Sequence, residues 1–350
     1  MRVASIVHTA TDPKSHCPPL DASAFAGEIS VIIPTFNRAA FLPATLQSIF
    51  SQTLPVREVL LVDDGSTDET PAVVEAWQAK YPSLQPRFRY LRQENQGKSV
   101  ALNKALQLVT GAWVAYNDSD DLWLPEKLAL QASVLLQFPI AGACFTDARF
   151  TNNPQMNFTA LSRVHKLLPS TQGLIENAPH FALDARSCIY MQTVLVRKTV
   201  MDLIGPFDPR FRVSQDGDFI FRLALNTQLC YVNLPLVEID RHTNRKEGLT
   251  TEYSRKTLVR LKTLEAIFMK WLELTRFAEP NLTTRISRLL RDNRSAQANL
   301  HLQLGNTAAA RQCLRDETKR SFSLKLTLKL LLAMIVPKLL ARHAGKEPNR

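Results

Sequence analysis

Between Ile29 and Tyr116 the chain repeats one unit: a short apolar run, then a stretch with helical spacing. ISVII precedes a helix expected from about Ala40 to Gln52, and REVLLV one from about Thr67 to Lys80. RFRYLR precedes a helix from about Lys98 to Val109, and AWVAY follows. Strands separated by helices of this length predict βαβ units, hence an α/β fold with a mostly parallel sheet covered by helices on both faces. Ligands of such open sheets sit outside the carboxyl ends of the strands. PTFNR follows the first run, VDDGSTDET closes the second and NDSDD follows the fourth, so three polar clusters converge on one crevice.

The second cluster reads as a turn and a helix start. Asp64-Gly65 is a turn pair, Ser66 and Glu69 have capping-box spacing, and Pro71 lies in the first turn. Past residue 140 the order is less regular, although CFTDARF and TVLVR read as strands and a helix is expected to begin near Asp216. From about Thr250 the chain turns to charged amphipathic helices, including a hairpin with Gly305-Asn306 at its bend. These boundaries divide it into a leader, 1–27, expected to be loosely ordered and too soon interrupted for a signal peptide, a nucleotide-binding α/β domain, 28–248, and a basic helical region, 249–350.

A length of 350 residues and 45% hydrophobic content allow a sizeable core. Five widely separated cysteines, Cys17, Cys144, Cys188, Cys230 and Cys313, have no CxxC or zinc spacing and read as reduced core thiols, which fits a cytoplasmic setting. The net charge of +11 is uneven: 23 Lys and Arg against 9 Asp and Glu lie from Arg241 onward, giving +14 there and −3 before it. Such a basic rear suits an anionic partner. Nucleic acid is not expected, because no interleaved aromatic pattern or recognised motif accompanies the charge. The helix at 321–342 has an apolar centre of only LLLAMIV between lysines, too short to span a bilayer. It suits either the inner face of an anionic membrane or packing on protein.

NDSDD places Asp118, Asp120 and Asp121 within four positions. Carboxylates this close resist ionising together unless a positive charge compensates them. Mn²⁺ or Mg²⁺ would do so, since these ions take hard oxygen ligands and leave positions for phosphates and water. A solvated acidic loop is the alternative. Asp64 likewise serves either as a turn former or as the acceptor for an imide N–H of a uracil-type base.

VIIPTFNR, VDDGSTDET, ENQGKSVALNKAL, YNDSDDLWLPEKL and GPFDPRFRVSQDGDFIFRLA, in this order, resemble the inverting family 2 glycosyltransferases of GT-A fold over about residues 29–245. The resemblance implies transfer of a sugar from a nucleotide-diphosphate donor, UDP-sugar favoured, to the hydroxyl of a saccharide or lipid-linked saccharide acceptor in cell-surface glycan synthesis. It implies that Pro34, Thr35, Asn37, Arg38, Asp64, Asn95, Lys98, Asn103, Asp118 and Ser119 serve the nucleotide. Asp120 and His242 would serve the metal, and Asp63, Asp121, Asp218, Arg222 and Arg241 would support the site. Asp216 matches the general base, with Asp218 its rival; the usual Glu before it is Gln215, and Leu102 replaces the usual Arg before Asn103. A GT-A scaffold that binds nucleotide or a partner without turnover is the competing expectation.

Overall fold

A computed structural model describes residues 22–185, 188–241, 257–277 and 279–320. The chain divides into two compact units, Met1–Phe207 with Phe219–Thr243 and Asp208–Asp218 with Asn244–Arg350.

The first unit is built on a nine-stranded sheet in the order β3-β2-β1-β4-β8-β6-β9-β5, with β7 paired to β9 beside this path. β1 (Ile29–Thr35), β2 (Glu58–Asp63), β3 (Phe88–Arg92) and β4 (Trp113–Tyr116) are the four apolar runs, and they pair in parallel. Helices α1 (Leu42–Phe50), α2 (Thr70–Lys80) and α3 (Lys98–Leu106) connect them. Beyond β4 the sheet becomes mixed. β5 is Leu122–Trp123, β6 Ala141–Thr151, β7 Gln172–Leu174, β8 Val194–Arg197 and β9 Gln228–Asp240. β8 runs antiparallel to β4 and β6, β6 and β9 are parallel, and β5 and β7 lie antiparallel to β9. Helices α4 (Lys127–Gln137), α5 (Ala178–Asp184), α6 (Lys198–Ile204) and α7 (Gln215–Asn226) complete the connections.

Every residue of β1 and β2 is buried, as strands covered on both faces require. Val31, Ile33, Val59 and Leu61 share one core with Leu42 and Leu46 of α1, Val74 of α2 and Leu128 of α4. Alternate positions serve the other face, where Phe207 and Phe219 pack edge-on against Tyr116 at 5.9 and 5.6 Å. Pro34 interrupts no ladder. Its neighbour Thr35 accepts from Asp64 N toward β2, so Pro34 faces β4, whose pairing with β1 ends at Ile32.

One expectation is corrected. The Ser66/Glu69 capping box does not form: α2 begins at Thr70, and Glu69 makes no side-chain cap. Ser66 Oγ instead accepts from Asn37 N, and Asp68 Oδ1 accepts from Thr70 N. Tertiary bonds to the β1 loop take the groups that a local cap would use.

The second unit contains α8 (Thr257–Leu274), α9 (Pro280–Gln303) and α10 (Thr307–Arg320). α9 and α10 form the expected hairpin, with Gly305 at φ 76° in the bend and Ala298, Leu302, Ala310 and Leu314 buried between them. Arg294 joins α9 to Glu265 of α8 at 2.7 Å. Cys144, Cys188, Cys230 and Cys313 form no disulfide among the described residues; Cys17 and the expected 321–342 helix lie outside them.

Lys127 is fully buried, its ammonium 3.9 Å from the Trp123 ring centre and donating to Gln131 Oε1 at 2.9 Å. Burial pushes this amine down to about 7. The unfolded chain keeps it protonated up to the ordinary 10.5. Between these values the unfolded state binds more protons, so stability rises with pH, by at most about 1.4 kcal/mol per pH unit from this group. Urea denaturation at pH 7 and 8.5 should show that rise in the native protein, and Lys127→Met should remove it.

Candidate active site

The carboxyl ends of β1, β2 and β4 open into three loops that are bonded to one another. Asn37, at φ 53°, accepts from Thr67 N at 2.8 Å and Asp68 N at 3.3 Å through Oδ1. Arg38 N donates to Thr70 Oγ1, and Ala39 N to Asp68 Oδ2. Asn tolerates positive φ better than most side chains, which lets the loop leave β1 while closing these bonds. The stitched loop delivers Arg38 Nε to Asp120 Oδ2 at 3.2 Å. Phe36 lies exposed on the same turn.

From β2, Asp64 is buried and binds the segment ahead of α3. Its Oδ1 accepts from Gln93 Nε2 and Gln96 N, and its Oδ2 from Gly97 N at 2.7 Å. This grip fixes the start of α3 and with it Lys98, the first helical residue. A cation is disfavoured at a helix N-terminus. Lys98 Nζ is held there by Asp118 Oδ1 at 2.6 Å.

Asp118, Asp120 and Asp121 each offer an oxygen within 4.8 Å of the others. Asp121 is buried, accepts Asp240 N at 2.9 Å and receives a short hydrogen bond from Gln192 Nε2. Burial, then the charges of Asp120 and Asp118, push its carboxyl well above the usual range, against the hydrogen bonds from Asp240 and Gln192. Arg38 and Lys98 thus oppose a three-acid cluster from two sides. Two acceptor oxygens beside it, Asn117 Oδ1 and Gln192 Oε1, are buried without a hydrogen-bond partner among the described residues. Crowded carboxylates and unpaired oxygens form a donor set that fits Mn²⁺ or Mg²⁺.

The remaining expected residues divide. Pro34 and Thr35 are buried at the end of β1, and Thr35 Oγ1 is without a hydrogen-bond partner among the described residues. Ser119 is buried with its carbonyl accepting from Thr45 Oγ1, and Asn95 lies on the exposed stretch before α3. Asp63 accepts from Ser66 N and Tyr90 Oη, tying the turn to β3. Asn103 does not reach into the crevice bonds described above: both its amide atoms bond the Phe207 backbone at 2.8 Å. Arg222 is buried and donates to Ile204 O and Gly205 O, closing the end of α6. Arg241 stands over the rings of Phe150 and Tyr190. His242 lies outside the described residues.

In the second unit Asp216 occupies the first turn of α7, after Ser214 at φ 59°. Asp218 is buried and engaged by Lys270 Nζ at 2.8 Å and Trp271 Nε1 at 3.3 Å. Lys270 also lies 3.6 Å from Asp208, whose carboxyl is lowered to about 2, chiefly by its hydrogen bond from Arg210.

Residues 30–184 match the family described as Glycosyl transferase family 2. A PGL/p-HBAD biosynthesis glycosyltransferase of Mycobacterium bovis (strain BCG / Pasteur 1173P2) is 32% identical over 203 residues, which cover 57% of this chain and 71% of that relative. The chain is a family 2 glycosyltransferase. This glycosyltransferase is also 37% identical over 111 residues to the putative teichuronic acid biosynthesis glycosyltransferase TuaG of Bacillus subtilis (strain 168), covering 31% of this chain and 42% of TuaG. Two solved structures share its GT-A fold. S. aureus TarS 1–349 in complex with UDP-GlcNAc has a TM-score of 0.62 at 17% identity, covering 91% of this chain and 90% of that one. The mannosyltransferase PcManGT from Pyrobaculum calidifontis in complex with GDP-Man and Mn²⁺ has a TM-score of 0.53 at 22% identity, with coverage of 91% and 85%. Among the described residues no helix of the glycosyltransferase is long and apolar enough to cross a membrane.

Sequence reasoning missed Gln192, whose side-chain Nε2 touches Asp121 and Asp118 and whose main-chain carbonyl accepts from Trp123 Nε1. Its one signal is a polar residue inside the apolar IYMQTVLV run. It also missed Gly65 as a close approach: at φ 80°, a Cβ there would lie 2.9 Å from Asn95 N. Gly65→Ala is expected to cost about 1–3 kcal/mol in backbone strain. It should also weaken nucleotide binding by displacing the 93–97 segment from Asp64; calorimetry and thermal unfolding together read both effects.

Proposed function

We propose that this enzyme transfers a sugar from a nucleotide-diphosphate donor, UDP-sugar favoured, to an acceptor hydroxyl with inversion, in cell-surface polysaccharide or glycoconjugate synthesis. The carrying observation is the Asp118/Asp120/Asp121 cluster at the carboxyl end of β4, flanked by Arg38 and Lys98. The names of the mycobacterial and Bacillus relatives support the pathway class, and the UDP-GlcNAc complex of TarS supports the donor.

Sugar transfer is assigned to residues 28–248. Asp64, with Thr35 and Asn37, would border the base, and Lys98 and Arg38 would face the phosphates while Asp118 and Ser119 approach the ribose and sugar. Asp120, supported by Asp121, would hold the metal, with His242 beside it. When bound, a divalent cation supplies Lewis-acid stabilisation of the negative charge that grows on the leaving diphosphate. Asp216 accepts the proton of the attacking hydroxyl, and the helix start favours negative charge there. Asp218, spent on Lys270 and Trp271, is the weaker candidate. Single displacement needs one base and no enzyme nucleophile.

Titration calorimetry with UDP, GDP and dTDP, with and without Mn²⁺, tests the donor half. One nucleotide should bind in a metal-dependent way, with chelator removing that binding and Asp120→Ala weakening it about tenfold or more. Asp216→Asn should lower transfer by about 10²-fold or more while nucleotide affinity holds. Equal loss of both in Asp216→Asn would remove the base assignment, and no nucleotide binding under any condition would leave only a non-catalytic scaffold.

The basic rear supports peripheral attachment to an anionic inner leaflet. The 350-residue chain should co-sediment with anionic vesicles more strongly than residues 1–315; unchanged binding would dismiss that role for residues 316–350.

A further inference from the structure

Three aromatic rings and two guanidinium groups meet at the carboxyl ends of β6 and β9. These strands run parallel, with Phe150 opposite Ile239 and Thr151 opposite Asp240. Phe150 packs edge-on against Phe158 at 5.6 Å and Tyr190 at 5.9 Å. Arg241 lies 5.8 Å from the Phe150 ring centre and 5.7 Å from that of Tyr190, and Arg163 lies 5.6 Å from that of Phe158. A bridge between Arg149 and Thr159, with Leu161 N bonded to buried Asp147, holds the 158–163 segment against β6. The cluster adjoins the acids directly: Asp240, the residue before Arg241, donates its N–H to Asp121.

Its charge is unbalanced. Nearby Arg149 is paired with Glu238, whereas among the described residues neither Arg163 nor Arg241 forms an ion pair. Both act on one phenol: burial pushes Tyr190 up, while the charge of Arg241, its hydrogen bond to the phenol and the charge of Arg163 oppose that rise. Arg241 Nη1 donates to Asp240 O at 3.4 Å, and the remaining N–H donors of a guanidinium beside a ring form a planar array that matches a carboxylate or phosphate. Half-buried ring surface beside it suits the C–H face of a sugar. Two cations beside a half-buried aromatic surface are relieved by an anion, which the described residues do not provide in an ion pair here.

We propose that this cluster is the acceptor subsite and that it takes an anionic saccharide, the sugar face lying on the rings and its carboxylate or phosphate held by Arg163 and Arg241. The proposal rests on the sugar-transfer reading of the adjoining acids, because a transferase needs a second saccharide beside its donor. It also accounts for two arginines that form no ion pair among the described residues.

The test is saturation-transfer NMR on the full chain with Mn²⁺ and saturating UDP, or GDP if that nucleotide binds instead. Glucose 6-phosphate, glucuronate and glucose are the probes. At least one anionic sugar should give about threefold more ring-proton signal than glucose, and the stronger of the two names the anion as phosphate or carboxylate. Arg163→Gln, at an exposed position, should cut that signal about threefold, Arg163→Lys less, and Phe158→Ala should lower it for the same sugar. Equal signals from glucose and both anionic sugars would overturn the proposal, as would a signal unmoved by Arg163→Gln. Displacement of the sugar by the nucleotide would also overturn it, since the anion would then have occupied the donor site. Failure of every nucleotide to bind the native protein would instead strike the donor assignment, and the contrast between native protein and Arg163→Gln would still decide the subsite.

Discussion

Three carboxylates within 4.8 Å of one another cannot all remain charged in a half-buried loop without positive compensation, and much of the first unit is arranged around that demand. Arg38 arrives from the β1 loop and Lys98 from the start of α3, so the acids connect segments that are distant in sequence. Each cation needs its own support. Asn37 turns through positive φ to hold the β2 loop, and Asp64 grips the backbone at Gln96 and Gly97. The local strain and the lysine at a helix N-terminus are stabilised by the tertiary bonds they make possible.

Behind this front lies a buried polar layer that couples the acids to the core. Gln192 bonds Asp121 and accepts from Trp123, whose ring carries the Lys127 ammonium. Gln131 receives Lys127 and donates to the carbonyls of Cys144 and Thr193, joining α4 to β6 and to the turn before β8. Buried polar groups linked this way restrict the packing to one arrangement, because any slip leaves several of them unsatisfied. The acid cluster is therefore backed by a rigid wall while its open side faces the loops.

Much of the front half was legible in the sequence. The four apolar runs became β1 to β4, and the three polar clusters at their ends did come together, because parallel pairing places all carboxyl ends at one edge of the sheet. The capping box was misread because Ser66 has a tertiary partner, Asn37, that no window around α2 contains. Asn103 matched a motif segment, yet its amide is committed to Phe207, more than a hundred residues away. Gln192 and the Phe150, Phe158, Tyr190, Arg163 and Arg241 cluster carried no spacing signal, since their members come from separate strands and loops.

By itself, the sequence determined the alternation of strands and helices, the crowding of Asp118, Asp120 and Asp121, the turn at Gly65 and the basic rear, all properties of neighbouring residues or local periodicity. Only the tertiary structure decided which cations answer the acids, that β8 reverses beside β4, that Asp218 is committed to Lys270 and Trp271, and that Arg163 and Arg241 share one aromatic surface. The division is physical. Period and turn chemistry act over a few residues, whereas charge pairing and the satisfaction of buried polar atoms depend on which distant segments the sheet brings together.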